Sequence, residues 1–202
     1  MNTPPDQPRL ALAEARAQKL LLGERILKPP VPVRELLEQF AIVCPFDHQR
    51  EPSFCLEQDL IWYVFINSNI SERSVSFIQA HEMGHLFMDH LGIDRTSLTE
   101  PQFQVLKREA DHFAYNLLIP ENWLRSACDG NCVKESGVAY LAGMYSVTPA
   151  TMKNRLRHLG IQCREDAQNG SDIIRKASAH DAKNIAQKSL SAFKMMITTG
   201  KK

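Results

Sequence analysis

Five residues, His81-Glu82-Met83-Gly84-His85, constrain this chain more than any other stretch. They lie in an apolar, helix-spaced run, with Phe77-Ile78-Gln79-Ala80 before them and Leu86-Phe87-Met88 after. Residues four apart share one helix face, so a helix here stacks two imidazoles one turn apart. Such a pair grips a single Zn²⁺ at about 2.0–2.1 Å per nitrogen. A glutamate next to the first histidine then reaches a water at the metal and takes its proton. The flanks agree with a helix, because Ser71 suits the N-cap of one starting at Glu72 and Gly92 suits its end. The competing reading is two surface histidines on an amphipathic helix. It fits poorly, because the apolar neighbours would bury both rings, and buried imidazoles without a metal need other partners.

Composition narrows the class. A chain of 202 residues, 44% hydrophobic, predicts one packed core with a small appendage. It has no run of about 18 apolar residues, so no membrane span is expected. The start, Met1-Asn2-Thr3-Pro4-Pro5-Asp6, has no basic stretch followed by an apolar one, so no secretory leader is expected. The five cysteines, at positions 44, 55, 128, 132 and 163, are odd in number and irregular in spacing, which suits reduced thiols in a cytoplasmic protein. No further Cys or His pair follows Cys128 and Cys132, so they read as ordinary thiols rather than a second metal site. A net charge of +1 argues neither for nor against a nucleic-acid partner.

Along the chain, residues 1–8 are polar and proline-rich and read as a disordered N-terminus. Arg9 to Leu27 favours a helix, with Leu12, Ala15, Leu20 and Leu22 on its apolar side, broken by Lys28-Pro29-Pro30-Val31-Pro32. A short helix over 33–40 follows, then strands over 41–44, 53–57 and 61–67, the last rich in β-branched and aromatic residues. After the motif helix come helices near 102–118, 121–127, 133–144 and 149–159. The fold class is therefore α+β: a zincin-like metallopeptidase layout, with a small mixed sheet packed on helices, over 9–127. A helical subdomain over 128–163 and a polar tail over 164–202, with one helix near 181–195, complete it. Edge strands beside such a metal bind peptides by strand addition.

A catalytic zinc needs three protein ligands and an open position. His90 is nearest in sequence, but on a continued helix it falls on a different face. Glu109 lies twenty-four residues after His85, enough for a loop and a return helix that aims a carboxylate at the metal. Asp111 and His112 are neighbouring alternatives, and a solvated helix charge is the plain alternative for Glu109.

Three ordered blocks carry a resemblance to the ImmA/IrrE-type metallopeptidases. The first runs from the extended stretch Tyr63-Val64-Phe65-Ile66-Asn67-Ser68-Asn69 through Arg73 and Phe77 to Ala80-His81-Glu82-Met83-Gly84-His85-Leu86. The second is Glu109-Ala110-Asp111-His112-Phe113-Ala114-Tyr115-Asn116-Leu117-Leu118-Ile119-Pro120, and the third is Leu141 to Thr148 followed by Arg155 to Gly160. The resemblance covers about residues 15–161 and has no counterpart for the tail. It implies His81 and His85 as zinc ligands and Glu82 as the general base. Where that family places a Glu six residues before the second block's Phe, this chain has Lys107, while Glu109 lies four before it. Either the ligand helix is shifted so that Glu109 or Asp111 binds, or the site is weakened, since an ammonium beside Zn²⁺ repels it.

Val138 to Leu159 reads as two helices around a tight turn, helix-turn-helix-like, with Thr148 as cap and Pro149 at the first position of the second helix. Lys153, Arg155 and Arg157 would face DNA in one reading. The favoured reading is a helical unit packed on the peptidase, with DNA a less favoured partner. The resemblance implies a protein substrate, such as a helix-turn-helix transcriptional repressor, and no membrane partner. Three functions follow. The first is a cytoplasmic zinc endopeptidase with Glu82 as base and His81, His85 and Glu109 as ligands. The second is a regulator that binds a repressor or DNA without cutting, and the third a zinc hydrolase of another bond. Oligomeric state is left open.

Overall fold

The computed structural model describes residues 3–48, 51–93, 97–128 and 132–164. The expected helix near 181–195 lies outside them.

The first helix, α1 (Leu10–Gly23), and the short α2 (Val33–Leu37) lead into a three-stranded sheet of β1 (Ile42–Phe46), β2 (Ser53–Gln58) and β3 (Ile61–Asn67). The sheet is mixed, in the order β1-β3-β2: β1 runs parallel to β3 and β2 antiparallel to it. The long apolar run of β3 takes the central place, where both neighbours satisfy its backbone. Its inward residues Val64 and Ile66 are buried, and Ser53 and Cys55 of β2 pair with them. The outward face carries Phe54 stacked on Phe65 at 4.6 Å, with Ile42, Leu56 and Ile61 each exposed. Asn67 ends β3 and holds the β1–β2 connection, its side-chain amide donating to His48 O at 2.6 Å and Glu51 O at 2.9 Å.

α3 (Glu72–Phe87) lies against β2 and β3, α4 (Glu100–Leu118) packs on α3, and α1 packs on α4. Ser71 caps α3 through the Ser74 amide, as expected. Thr99 and Gln102 bond at the start of α4. The core joins Met83, Phe113, Leu117, Leu118 and Leu37, all essentially without exposure. Then come α5 (Glu121–Ala127), β4 (Cys132–Lys134), α6 (Glu135–Met144), α7 (Pro149–His158) and β5 (Gln162–Arg164), with β4 and β5 paired in parallel.

Arg155 ties α7 to α4. Its buried guanidinium donates to Asn116 Oδ1 at 2.7 Å and Ile119 O at 3.0 Å. Burial pushes its pKa below the ordinary arginine value, yet the charge keeps both polar partners satisfied.

Several expectations need correction. On the buried side of α1 Leu20 stands as expected, but with Ala13, Ala17 and Leu21 in place of Leu12, Ala15 and Leu22. The expected helix start at Val133 is a strand instead: Val133 pairs with Cys163 and is buried. The motif helix ends at Phe87, not near Gly92. Its last carbonyls are taken from outside: Arg16 donates to Phe87 O and Arg9 Nη2 to Met88 O at 3.0 Å. Such long-range caps satisfy the acceptors a helix end leaves open, and Asp89 then turns the chain in the left-handed region at φ 61.

Candidate metal centre

The motif lies in the middle of α3, as its spacing requires. His81 Nε2 and His85 Nε2 face each other at 3.1 Å. Two nitrogens about 2.05 Å from one tetrahedral ion stand about 3.3 Å apart, so the pair has the separation that a shared cation demands. Each ring is held at its other nitrogen: His81 Nδ1 lies 2.8 Å from Asp111 Oδ1, and His85 Nδ1 lies 2.9 Å from His90 Nδ1. Such outer contacts fix ring orientation at metal sites.

Glycine at position 84 makes the first of these contacts possible. A Cβ there would stand 2.7 Å from Ala110 Cα and 2.8 Å from Ala110 O. The two helices touch backbone to side-chain-free backbone, which brings the next residue of α4, Asp111, under His81.

Glu82 points to the sheet side, almost buried, and Ser53 Oγ donates to its Oε1 at 2.6 Å. The motif's carboxylate is thus gripped by the first residue of β2, with its second oxygen left for another proton.

Glu109 stands one imidazole away from the pair. Its Oε1 accepts from the Arg9 backbone N at 2.5 Å and Arg9 Nε at 2.9 Å. Its Oε2 accepts from Arg9 Nη2 at 2.8 Å and lies 2.8 Å from His90 Nε2. Burial alone would raise its pKa, but the hydrogen bonds and charge of Arg9, aided by His90, outweigh that and hold it below the ordinary glutamate value. Arg9 is raised in turn, chiefly by its bond to Glu109.

His81 and His85 are therefore brought together with Glu82 on one helix. Asp111 meets the pair through the far nitrogen of His81, and Glu109 through His90. Lys107, two residues before Glu109, is exposed. His112 is half-buried, its pKa lowered by burial first and then by electrostatic interaction with Arg155 and His158. Among the described residues, no group of three or more His, Cys, Asp or Glu stands together as a metal cluster. Arg9 and Ser53 are not singled out by the sequence as part of the site, and His90, weighed there as a ligand, is set aside. No local pattern marks Arg9 or Ser53, and His90 is misplaced by continuing α3 as a helix past Phe87.

The family model of Peptidase_M78, described as the IrrE N-terminal-like domain, matches residues 40–157, more than half of the chain. The chain belongs to this family. The match holds the whole motif helix, Ser53, Glu109 and Asp111, together with α6 and most of α7. An IrrE N-terminal-like domain of a peptidase family points to a metallopeptidase and implies a metal cofactor. The donor set fits that implication in two of its parts, since the paired imidazoles have the spacing of a grip and Glu82 is beside them. It departs in the third, since both oxygens of Glu109 are engaged by Arg9 and His90. No curated protein matches the chain. No helix among the described residues is long and apolar enough to cross a membrane.

Proposed function

We propose that this protein is a zinc-dependent endopeptidase acting on a protein substrate in the cytoplasm, with a helix-turn-helix transcriptional repressor as the substrate class that the resemblance implies. The observation that supports it is the 3.1 Å opposition of His81 Nε2 and His85 Nε2, with Glu82 on the same helix.

His81 and His85 would hold the ion. Bound zinc supplies a Lewis acid that polarises the scissile carbonyl and acidifies water next to it. Glu82 accepts the proton of the attacking water on Oε2, since Oε1 is held by Ser53. The water oxygen bonds to the carbonyl carbon, the C–N bond breaks, and Glu82 passes the proton to the departing amine. Asp111 keeps the His81 ring in register throughout. The edge strand β2, which carries Ser53, runs beside the reacting groups and suits an extended peptide.

A second reading has a specific observation behind it. Glu109, the carboxylate expected as third ligand, is engaged at both oxygens by Arg9 and His90, and Lys107 stands two residues before it. That arrangement suits a regulator that docks a repressor, or less favourably DNA through the helix-turn-helix-like α6–α7 pair, without cutting.

Metal analysis of protein purified without chelators tests the first reading. Stoichiometric zinc, together with a Glu82→Gln variant that keeps zinc and loses cleavage by about 10²–10⁴-fold, supports the peptidase. Absence of stoichiometric zinc overturns it. Wild type and Glu82→Gln behaving alike in a repressor-relief assay would select the regulator instead.

A further inference from the structure

We propose that the side of α3 turned away from His81 carries a second binding site, a cleft centred on Gln79 that receives an extended, aliphatic peptide segment of a partner protein. The inference needs no metal and stands apart from the peptidase reading above.

Gln79 lies midway along α3 with only 3% of its surface exposed. Its carboxamide offers two N–H donors and a carbonyl acceptor. Among the described residues, no side-chain hydrogen bond reaches that amide. Buried amides without partners cost free energy, and folded proteins keep few of them. A site built to hydrogen-bond a ligand carries such groups in the free protein, because the ligand completes them.

Gln79 opens onto two clefts, of about 590 Å³ and about 320 Å³. Both are lined by Arg34, Val75 and Gln79, so they meet at the amide. Two residues are about 200° of helical turn, so this side of α3 looks away from His81. The larger cleft has Val31, Val33 and Val75 along it, and the exposed Arg34, Arg73, Glu35 and Glu72 at its mouth. The smaller one runs past Val43 and Pro45 of the edge strand β1 to Ser68, just after β3.

The lining selects the ligand. A carboxamide pairs two ways with a peptide unit or with the edge of a nucleobase. No aromatic side chain among the described residues lines either cleft, so a base would have nothing to stack on. The mouth sets two guanidiniums against two carboxylates, and Arg34 is already bonded to Glu38 Oε1 at 2.8 Å. A phosphate would therefore find no unmatched cationic pocket. A peptide suits what remains. Its N–H donates to the Gln79 carbonyl and its C=O accepts from the Gln79 NH₂, in the manner of two paired strands. Its aliphatic side chains lie against the valines, and the two joined clefts carry the chain onward on either side.

The test uses the full chain as purified. The probe is an acetylated, amidated valine-alanine-valine tripeptide, which imitates the interior of a longer chain. In ¹⁵N–¹H and methyl spectra, the Gln79 side-chain NH₂ and the Val33 and Val75 methyls should shift together and saturate at or below about 1 mM. Followed by the same methyls, Gln79→Leu should bind at least about tenfold more weakly, since a buried peptide amide then goes unpaired. A probe methylated on its backbone nitrogens should lose about as much on wild type, and lose nothing further on Gln79→Leu. Without peptide, Gln79→Leu should unfold at a urea midpoint equal to or above wild type, because the amide has no bond within the fold to forfeit. A midpoint lower by about 0.5 M or more would give Gln79 a structural partner and overturn the proposal. Methyls unmoved at about 10 mM probe, equal affinity in wild type and Gln79→Leu, or a methylated probe that binds wild type as well as the parent, would overturn it too.

Discussion

Gly84→Ala tests whether α3 and α4 need their close crossing. The added methyl would meet Ala110 Cα at 2.7 Å and Ala110 O at 2.8 Å, both backbone atoms. Comfortable carbon contacts begin at about 3.5 Å, so α4 must retreat by most of an ångström. It cannot do so freely, because α1 also packs against it. Overpacking of this kind costs about 3 kcal/mol at the upper end of its usual range. Alanine recovers about 1 kcal/mol of helix propensity over glycine, leaving a net loss of about 2 kcal/mol. With a urea slope of about 2 kcal/mol per molar, the unfolding midpoint should fall by about 1 M. The retreat also draws Asp111 from His81, so zinc retention should fall together with stability. A midpoint equal to or above wild type would show that propensity outweighs the clash, and the reasoning would be wrong.

Other outcomes follow from the same geometry. Ser53→Ala removes the donor to Glu82 Oε1; a hydrogen bond to a charged group of about 1.5 kcal/mol predicts kcat/KM about tenfold lower with zinc content unchanged, and equal steady-state kinetics would count against a positioning role. Glu109 has its pKa held below 4.5, so the Arg9 pair stabilises the fold fully above the ordinary glutamate range and loses this as pH falls through the lowered folded value. Urea titrations should accordingly show a gap between wild type and Glu109→Gln that is flat above about pH 5.5 and narrows in more acid solution; a gap widening toward low pH contradicts the assignment. Arg155→Met leaves Asn116 Oδ1 and Ile119 O buried without donors and should cost about 2–3 kcal/mol in the same assay, whereas a change under about 0.5 kcal/mol would mean that water replaces the guanidinium.

The motif helix was legible because its signals are local: a capping serine, a helical apolar period and two histidines one turn apart. The central strand was legible for a similar reason, as β-branched and aromatic residues fill Ile61–Asn67 without interruption. What escaped depends on distant partners. The end of α3 is set by Arg9 and Arg16, which lie 79 and 71 residues from the carbonyls they take, and no local rule anticipates them. With α3 continued to Gly92, His90 falls on the wrong face; with α3 ended at Phe87, its ring folds back onto His85. Glu109 was placed near the metal by the length of the return path. Its engagement with Arg9 depends on how α1 packs on α4, which the alanine-rich pattern concealed. Ser53 reaches Glu82 only through strand register, which pairs it with inward-facing Ile66.

The Arg155 clamp also governs where this chain tolerates shortening. A fragment stopping after α5 would discard the guanidinium and strand Asn116 Oδ1 and Ile119 O against the apolar seam at the end of α4. That helix also carries Asp111, so trimming far from the histidines would still loosen the ring that Asp111 steadies. Shorter versions made for expression or crystallisation therefore need to keep α7.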